Sequence, residues 1–243
     1  MRICLISDVH SNLPALDAVL AAAGAVDAIW QLGDVVGYGP DPDGVVARLQ
    51  ERGAVGVRGN HDAAALGGSE IEWFNPDARR AMEWTRSTIN DDTRAWLEAL
   101  PEHRSETGCE LVHGSPREPL WEYITSPGVA RDNLKLLDGA IGLHGHTHMP
   151  VAWIEDAEHG TGVELVRGRP GLRLELGGRR VLLNPGSVGQ PRDGNPDAAF
   201  AILDLGAATI EWHRAAYDIR AVQAEMKSAG LPGSLASRLS AGL

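Results

Sequence analysis

Short apolar runs that stop abruptly at Asp, Asn or His constrain this chain more than any other feature. Arg2-Ile3-Cys4-Leu5-Ile6-Ser7 ends at Asp8-Val9-His10, Asp27 to Leu32 ends at Gly33-Asp34, and Ala54 to Val57 ends near Gly59-Asn60-His61-Asp62. Further on, Cys109 to Val112 ends at His113-Gly114, and Ala140 to Leu143 runs into His144-Gly145-His146-Thr147-His148. Runs of this length and composition read as buried strands. Between the first three lie helical segments, Pro14 to about Gly24 with proline in its first turn and glycine near its stop, and about 44 to 52. Strand, helix, strand, helix, strand is an α/β start in which parallel pairing is expected. Strand ends are where such folds build sites, so five polar segments distant in sequence are expected along one edge.

The remainder of the chain fits around that frame. Pro76 to Leu100 has the spacing of one or two amphipathic helices carrying Met82, Trp84, Ile89, Trp96, Leu97 and Leu100, which predicts a helical cap insertion over about 63–105 beside the site. The apolar runs 110–113, 140–144, 150–154, 162–166, 171–176, 180–184, 198–205 and 207–213 predict a strand-rich second half. A helix is expected over about 218–229, and the Gly/Ser/Ala-rich tail from Gly230 is expected to fray. With no repeat and no linker, residues 1–243 are expected to form a single domain.

Composition excludes several partners. Lys+Arg 22 against Asp+Glu 33 gives a net charge of −11, which repels the phosphate backbone of a long nucleic acid. No run approaches the roughly 18 apolar residues of a membrane span, and Asp8, His10 and Asp17 interrupt any signal-peptide core, so a cytoplasmic protein without membrane partners is expected. Cys4 and Cys109 lack metal-type spacing and are expected to be reduced core thiols.

The residue types at the five strand ends point to metal chemistry. Asp8 and His10, two positions apart, share one side of an extended loop, and so do His146 and His148. Carboxylate oxygen with imidazole nitrogen suits Mn, Fe, Co, Ni or Zn better than Ca. Asn60 offers a carbonyl oxygen that binds without adding charge.

Taken together, D-x-H at Asp8, GD at Asp34, GN-H-D at Asn60, a later H at His113 and GH-x-H at His146 and His148 resemble the pattern of the calcineurin-like metallophosphoesterase superfamily. The resemblance continues to Asn184-Pro185-Gly186-Ser187-Val188-Gly189-Gln190-Pro191-Arg192, similar to the small bacterial and archaeal phosphoesterase branch, and covers about residues 1 to 205. It implies a four-layer α/β/β/α sandwich with two mixed sheets and two divalent transition-metal ions, Mn favoured, bridged by Asp34. By position, Asp8, His10 and His148 would complete one metal site and Asn60, His113 and His146 the other. Two divalent ions ~3.5–4 Å apart repel by about 20 kcal/mol at an effective dielectric near 20, so bridging anions are required. The implied reaction is hydrolysis of a phosphodiester or small nucleotide-like phosphate ester by a metal-bridging hydroxide, with His61 as catalytic residue at the leaving group or phosphoryl oxygens.

Other positions carry further expectations. Asn12, Arg58, Arg192 and the backbone of 184–189 are candidate phosphate contacts, since guanidinium forks and consecutive N–H groups match phosphate oxygens. His144 is expected to be packed behind the site, while His103, His159 and His213 carry no signal. Trp73, Phe74, Trp84, Trp121 and Tyr123 are candidates to wall a substrate pocket. Where the phosphoprotein-phosphatase branch places an Asp that orients the catalytic histidine and an Arg that grips phosphate, this chain has Gly37 and Tyr38, which weakens that reading. The resemblance also leaves open cleavage of a dinucleoside polyphosphate, as in a diadenosine tetraphosphatase, and a non-catalytic scaffold role for the same fold. Relatives often pair, so a homodimer is open as well.

Overall fold

In the computed structural model, the described residues are 1–243 apart from 157 and 159, together with all side chains but those of Ser69 and Glu70. His159 therefore lies outside the described residues. The first half alternates as the sequence predicts: β1 (Arg2–Ile6), α1 (Leu13–Ala23), β2 (Ala28–Gln31), α2 (Pro42–Glu51), β3 (Val55–Gly56) and α3 (Asn60–Ala65). A 3-10 turn (Ser69–Trp73), α4 (Pro76–Thr88) and α5 (Asp91–Ala99) form the helical insertion, and β4 (His103–Glu106) begins inside its expected boundary. There follow β5 (Cys109–Val112), α6 (Pro127–Leu134), β6 (Ile141–Leu143), β7 (Val151–Glu155), β8 (Val163–Arg167), β9 (Arg173–Glu175), β10 (Val181–Asn184), β11 (Ala198–Asp204), β12 (Thr209–Ala215), α7 (Ile219–Ser228) and α8 (Gly233–Ala241).

Helix starts follow from their caps. Asn12, Asp41, Asn75, Asn90, Ser126 and Asp218 each turn a side-chain oxygen onto an otherwise unpaired N–H of the first turn, and proline stands in the first turn of α1, α2, α4 and α6. α3 is capped in reverse, by Asp62 accepting the Gly59 N–H at 2.9 Å.

The strands form two mixed sheets of six among the described residues, ordered β3-β2-β1-β11-β12-β9 and β4-β5-β6-β10-β7-β8. β1, β2 and β3 run parallel, with Leu5 opposite Trp30, and so do β5, β6 and β10, with Leu111 opposite Leu143 and Leu143 opposite Leu183. Their inner faces meet in one core of Ile3, Leu5, Trp30, Leu111, Leu143, Leu183, Leu203 and Trp212. Each such side chain contributes roughly 1.5–3 kcal/mol on leaving water. On the outer face of the first sheet, Cys4, Ile6, Phe200 and Ile202 pack with α1 and α2, and Met82 and Leu97 of the insertion close the same layer. On the outer face of the second, Trp153 and Leu182 pack under α6. The result is the expected α/β/β/α order, with β1, β2, β3, β5 and β6 ending at one edge.

The tail departs from expectation. Instead of fraying, residues after Gly230 turn back as α8, and Leu231, Leu235 and Leu239 bury against Val222 and Met226 of α7 and against Tyr38. Four-residue leucine spacing overrides the small-residue composition. α6 is a second difference, since the sequence predicts no helix between His113 and Ala140. Both cysteines are buried and free, as expected.

Candidate metal centre

The loops after these strands adopt backbone that few residues tolerate. Asp8 (φ 53°), His10 (49°), Asp34 (53°), His146 (64°) and His148 (59°) are all left-handed, with Ser11 (54°) and Tyr38 (59°) between them. Asp and His enter this region more readily than most side chains, yet a cluster of such residues marks strain held by surrounding structure. Glycines let the loops close on one another. An added Cβ at Gly59 would meet Asp34 Oδ1 at 2.2 Å, and one at Gly145 would meet Ser7 Oγ at 1.9 Å.

All seven residues expected to bind metal converge in one buried cavity. His10 Nε2 faces His148 Nε2 at 3.2 Å, Asp8 Oδ1 is 3.2 Å from His148 Nε2, and Asp34 Oδ2 is 3.8 Å from His10 Nε2. Beside them, His113 Nε2 lies 3.1 Å from His146 Nδ1, 3.0 Å from Asn60 Oδ1 and 3.3 Å from Asp34 Oδ2. Asp34 thus stands between two groups, Asp8, His10 and His148 on one side and His113, His146 and Asn60 on the other.

What these groups can hold follows from their outer hydrogen bonds. His10 Nδ1 lies 3.3 Å from the Val36 carbonyl, His113 Nδ1 2.8 Å from that of Leu32, and His146 Nε2 3.2 Å from that of Trp121, while His148 Nδ1 meets the Gln190 carbonyl. A carbonyl only accepts, so each outer nitrogen carries the proton and each inner nitrogen presents a lone pair. Two lone pairs about 3 Å apart cannot hydrogen-bond each other, and Asp8 Oδ1 has no hydrogen-bond partner among the described residues. The donor set of imidazole, carboxylate and amide oxygen fits divalent transition-metal ions on both sides of Asp34.

The carboxylates act unequally on the imidazoles, and His113 offers its inner nitrogen as a lone pair only on losing its second proton. The Asp34 carboxylate overcomes burial to push His113 up to about 9, whereas burial and His113 together push His146 down to about 3. Burial also pushes His61 down to about 4 against the pull of Asp34, so its imidazole is neutral near pH 7. Burial and Asp34 raise Asp62 to about 7 while it accepts the Gly59 and Val36 N–H groups and pins the start of α3.

His61 borders the same space, within ligand reach of His10 and Asp34, and its backbone N–H donates to Asp34 Oδ1 at 2.8 Å. Among the described residues, no hydrogen bond reaches its Nδ1. Packing positions the ring instead: Tyr38 lies 4.4 Å away, Phe74 stacks on it at 4.5 Å, and Gly37 presses so close that an added Cβ would stand 2.5 Å from Nδ1.

The three candidate phosphate contacts fare differently. Asn12 is fully committed, accepting the Ala15 N–H as helix cap and donating to the Gly189 carbonyl and the Tyr217 hydroxyl. Arg58 turns its guanidinium to Glu102 at 3.1 Å. Arg192 reaches the site: its Nη2 donates to Gln190 Oε1 at 3.4 Å, its charge helps lower His61 and His148, and its buried Nε has no partner among the described residues. The 184–189 backbone braces the first loop rather than offering donors, since Val188 and Gly189 give their N–H groups to Ser7 and Asp8 carbonyls and Ser187 Oγ donates to the Asp8 carbonyl. His144 is packed behind the site, beside the Asn184 amide that ties Gly145 and Thr147 together.

Residues to which the sequence patterns gave no such role complete the surroundings. Tyr38 packs against both His10 and His61, and Asn184 and Ser187 fix the loops that carry His146 and Asp8. Their signal is positional only, as neighbours of the motifs.

Comparison with known proteins gives the chain's family and fold. The profile of the calcineurin-like phosphoesterase superfamily domain matches residues 1–208. An uncharacterized protein of Methanocaldococcus jannaschii is 35% identical over 244 residues, covering 98% of this chain and 96% of its own length. Phosphodiesterase YfcE of Escherichia coli is 29% identical over 223 residues, covering 86% and 91% respectively. The crystal structure of a metallophosphoesterase from Sphaerobacter thermophilus superposes with a TM-score of 0.92 at 43% identity, covering 100% of this chain and 99% of that one. Among the described residues, no helix is long and apolar enough to cross a membrane.

Proposed function

The chain belongs to the calcineurin-like phosphoesterase superfamily, and from that membership we propose that it is a dinuclear-metal phosphohydrolase cleaving phosphodiesters or small nucleotide-like phosphate esters in the cytoplasm. One observation carries the reading: two sets of inward lone pairs, each braced from behind by backbone carbonyls, share the single carboxylate of Asp34. Asp8, His10 and His148 would hold one ion with Asp34, and Asn60, His113 and His146 the other, with manganese the first metal to test. When bound, such ions lower the pKa of water, clamp phosphoryl oxygens and neutralise developing charge.

The chain's own groups do the rest. Asp34 holds the two halves of the cavity in register through the His61 N–H. His61, neutral and held between Tyr38 and Phe74, presents an imidazole to a phosphoryl or leaving-group oxygen. Arg192 supplies the guanidinium that grips a non-bridging oxygen, its unpartnered Nε facing no competing carboxylate within salt-bridge distance among the described residues. Tyr38 lies where the phosphoprotein-phosphatase branch places a phosphate-gripping arginine, which speaks against a protein substrate.

The test is hydrolysis of bis(p-nitrophenyl) phosphate and p-nitrophenyl phosphate by chelator-stripped protein with and without Mn²⁺. Diester turnover restored by metal, exceeding monoester turnover and lost in Asn60→Ala and His61→Ala, is the expected result. Wild-type rates in both variants would refute the assignment.

A further inference from the structure

A continuous row of flat side chains runs outward from the metal centre. Phe74, stacked on His61 at 4.5 Å, lies 5.8 Å from the Trp121 ring, and Trp121 meets Trp73 edge to face at 5.0 Å. On the other side Tyr123 stacks on His146 at 3.8 Å, and the Trp121 carbonyl receives the His146 Nε2–H. The row is thus anchored at His61 and at His146 of one candidate metal half.

Its outer end does little for the fold. Trp73, at the tip of the 3-10 turn, is 71% exposed, although a large aromatic ring normally contributes by leaving water. Beside it lies a wide, shallow surface depression lined by Trp73, Arg117, Glu118, Trp121 and Glu122. The polar groups there are already engaged: Glu122 binds Ser115, Arg117 and Asn133, and Glu118 accepts the Trp121 N–H. What remains available for recognition is aromatic surface, which suits a flat ring rather than a charged or alkyl group. Trp121 stands two ring contacts from His61, by way of Phe74.

We propose that Trp73 and Trp121 form a stacking ledge that takes the nucleobase of a nucleotide ester whose phosphate sits in the metal centre. This rests on the phosphohydrolase reading above and makes nucleotide esters, rather than alkyl or sugar phosphates, the substrate class. A ledge of this kind tolerates any base, because stacking uses the ring face and not its hydrogen-bonding edge.

The test compares adenosine 5′-monophosphate with ribose 5-phosphate, which lacks the base, in calorimetric binding to Mn²⁺-loaded protein. Stacking of one base is worth about tenfold to a hundredfold in affinity, so the wild type should prefer the nucleotide by that factor. Trp73→Ala and Trp121→Ala should bring the nucleotide to the affinity of the sugar phosphate and leave the latter unchanged, while Trp121→Phe keeps most of the preference. Trp73 is exposed, so its variant tests the ledge without endangering the fold. Equal wild-type affinities, or a preference surviving both alanine variants, overturn the ledge. Bis(p-nitrophenyl) phosphate turnover by the same preparation separates the two readings. Turnover without base preference refutes the ledge alone, whereas no turnover and no phosphate binding refutes the phosphohydrolase reading beneath it.

Discussion

Gly37→Ala isolates how His61 is held. Gly37 has φ +93°, and a Cβ there would stand 2.5 Å from His61 Nδ1 and 3.1 Å from Met82 Cε. Ordinary contact begins near 3.4 Å, so the ring must retreat by about 0.9 Å. It has little freedom to do so, with Tyr38 at 4.4 Å and Phe74 at 4.5 Å. A displacement of ~1 Å in a catalytic group costs about 100-fold in rate. The backbone adds ~1–2 kcal/mol for the left-handed conformation and the clash another ~1–3 kcal/mol. At ~2–4 °C per kcal/mol for a chain of this size, a combined loss of ~3 kcal/mol lowers Tm by about 6–12 °C. Gly53→Ala is the control, since it has φ +61° but nothing within 4 Å of the new Cβ. It should lose only the backbone contribution and keep full kcat. Metal-dependent diester hydrolysis and thermal unfolding of both variants decide the matter, with kcat expected to fall and KM to stay near wild type for Gly37→Ala. A Gly37→Ala protein with wild-type kcat and the Tm of Gly53→Ala would show that His61 neither feels this contact nor depends on its placement.

Arg192→Ala should raise KM for a diester by about ten- to hundredfold and leave Tm within ~2 °C, because a charge-assisted hydrogen bond is worth ~1.5–3 kcal/mol to the substrate and the arginine makes no salt bridge among the described residues; Arg58→Ala, whose partner is Glu102, should change KM little. Saturating Mn²⁺ at ~1,000 times its Kd should stabilise the chelator-stripped chain by about 4 kcal/mol per independent site, or roughly 8–16 °C in Tm, and an unchanged melting curve would contradict a preorganised centre. Burial pushes the Cys4 thiol up to about 12 and that of Cys109 up to about 11. Unfolded thiols ionise near 9, so this contribution to stability is complete below pH 9 and declines as pH rises through 11–12. Iodoacetamide at pH 8.5 should accordingly label both only after unfolding, and rapid labelling of native protein would contradict their burial.

Much of the centre is readable in the sequence because its signals are local. An apolar run that stops at Asp, Asn or His is a statement about consecutive positions, and five such statements in order specify which side chains meet at a sheet edge. The helices are legible where periodicity and caps agree, as at Asn12-Leu13-Pro14 and Asp218-Ile219. They are misjudged where composition argues against periodicity, as in α8, whose leucines need α7 and Tyr38 to bury against.

The sequence by itself determined the donor types, their spacing and the strands that carry them, because these depend on near neighbours along the chain. Tertiary structure decided what each donor offers. Only the fold places the carbonyls of Val36, Leu32, Trp121 and Gln190 behind four histidines, and those carbonyls turn four ambiguous imidazoles into inward lone pairs. The fold likewise engaged Asn12 as a cap, gave Arg58 to Glu102, left Arg192 facing the centre and lined Phe74, Trp121 and Trp73 into a ledge. Partner choice between residues far apart in the chain depends on three-dimensional distance and orientation, which no local pattern encodes.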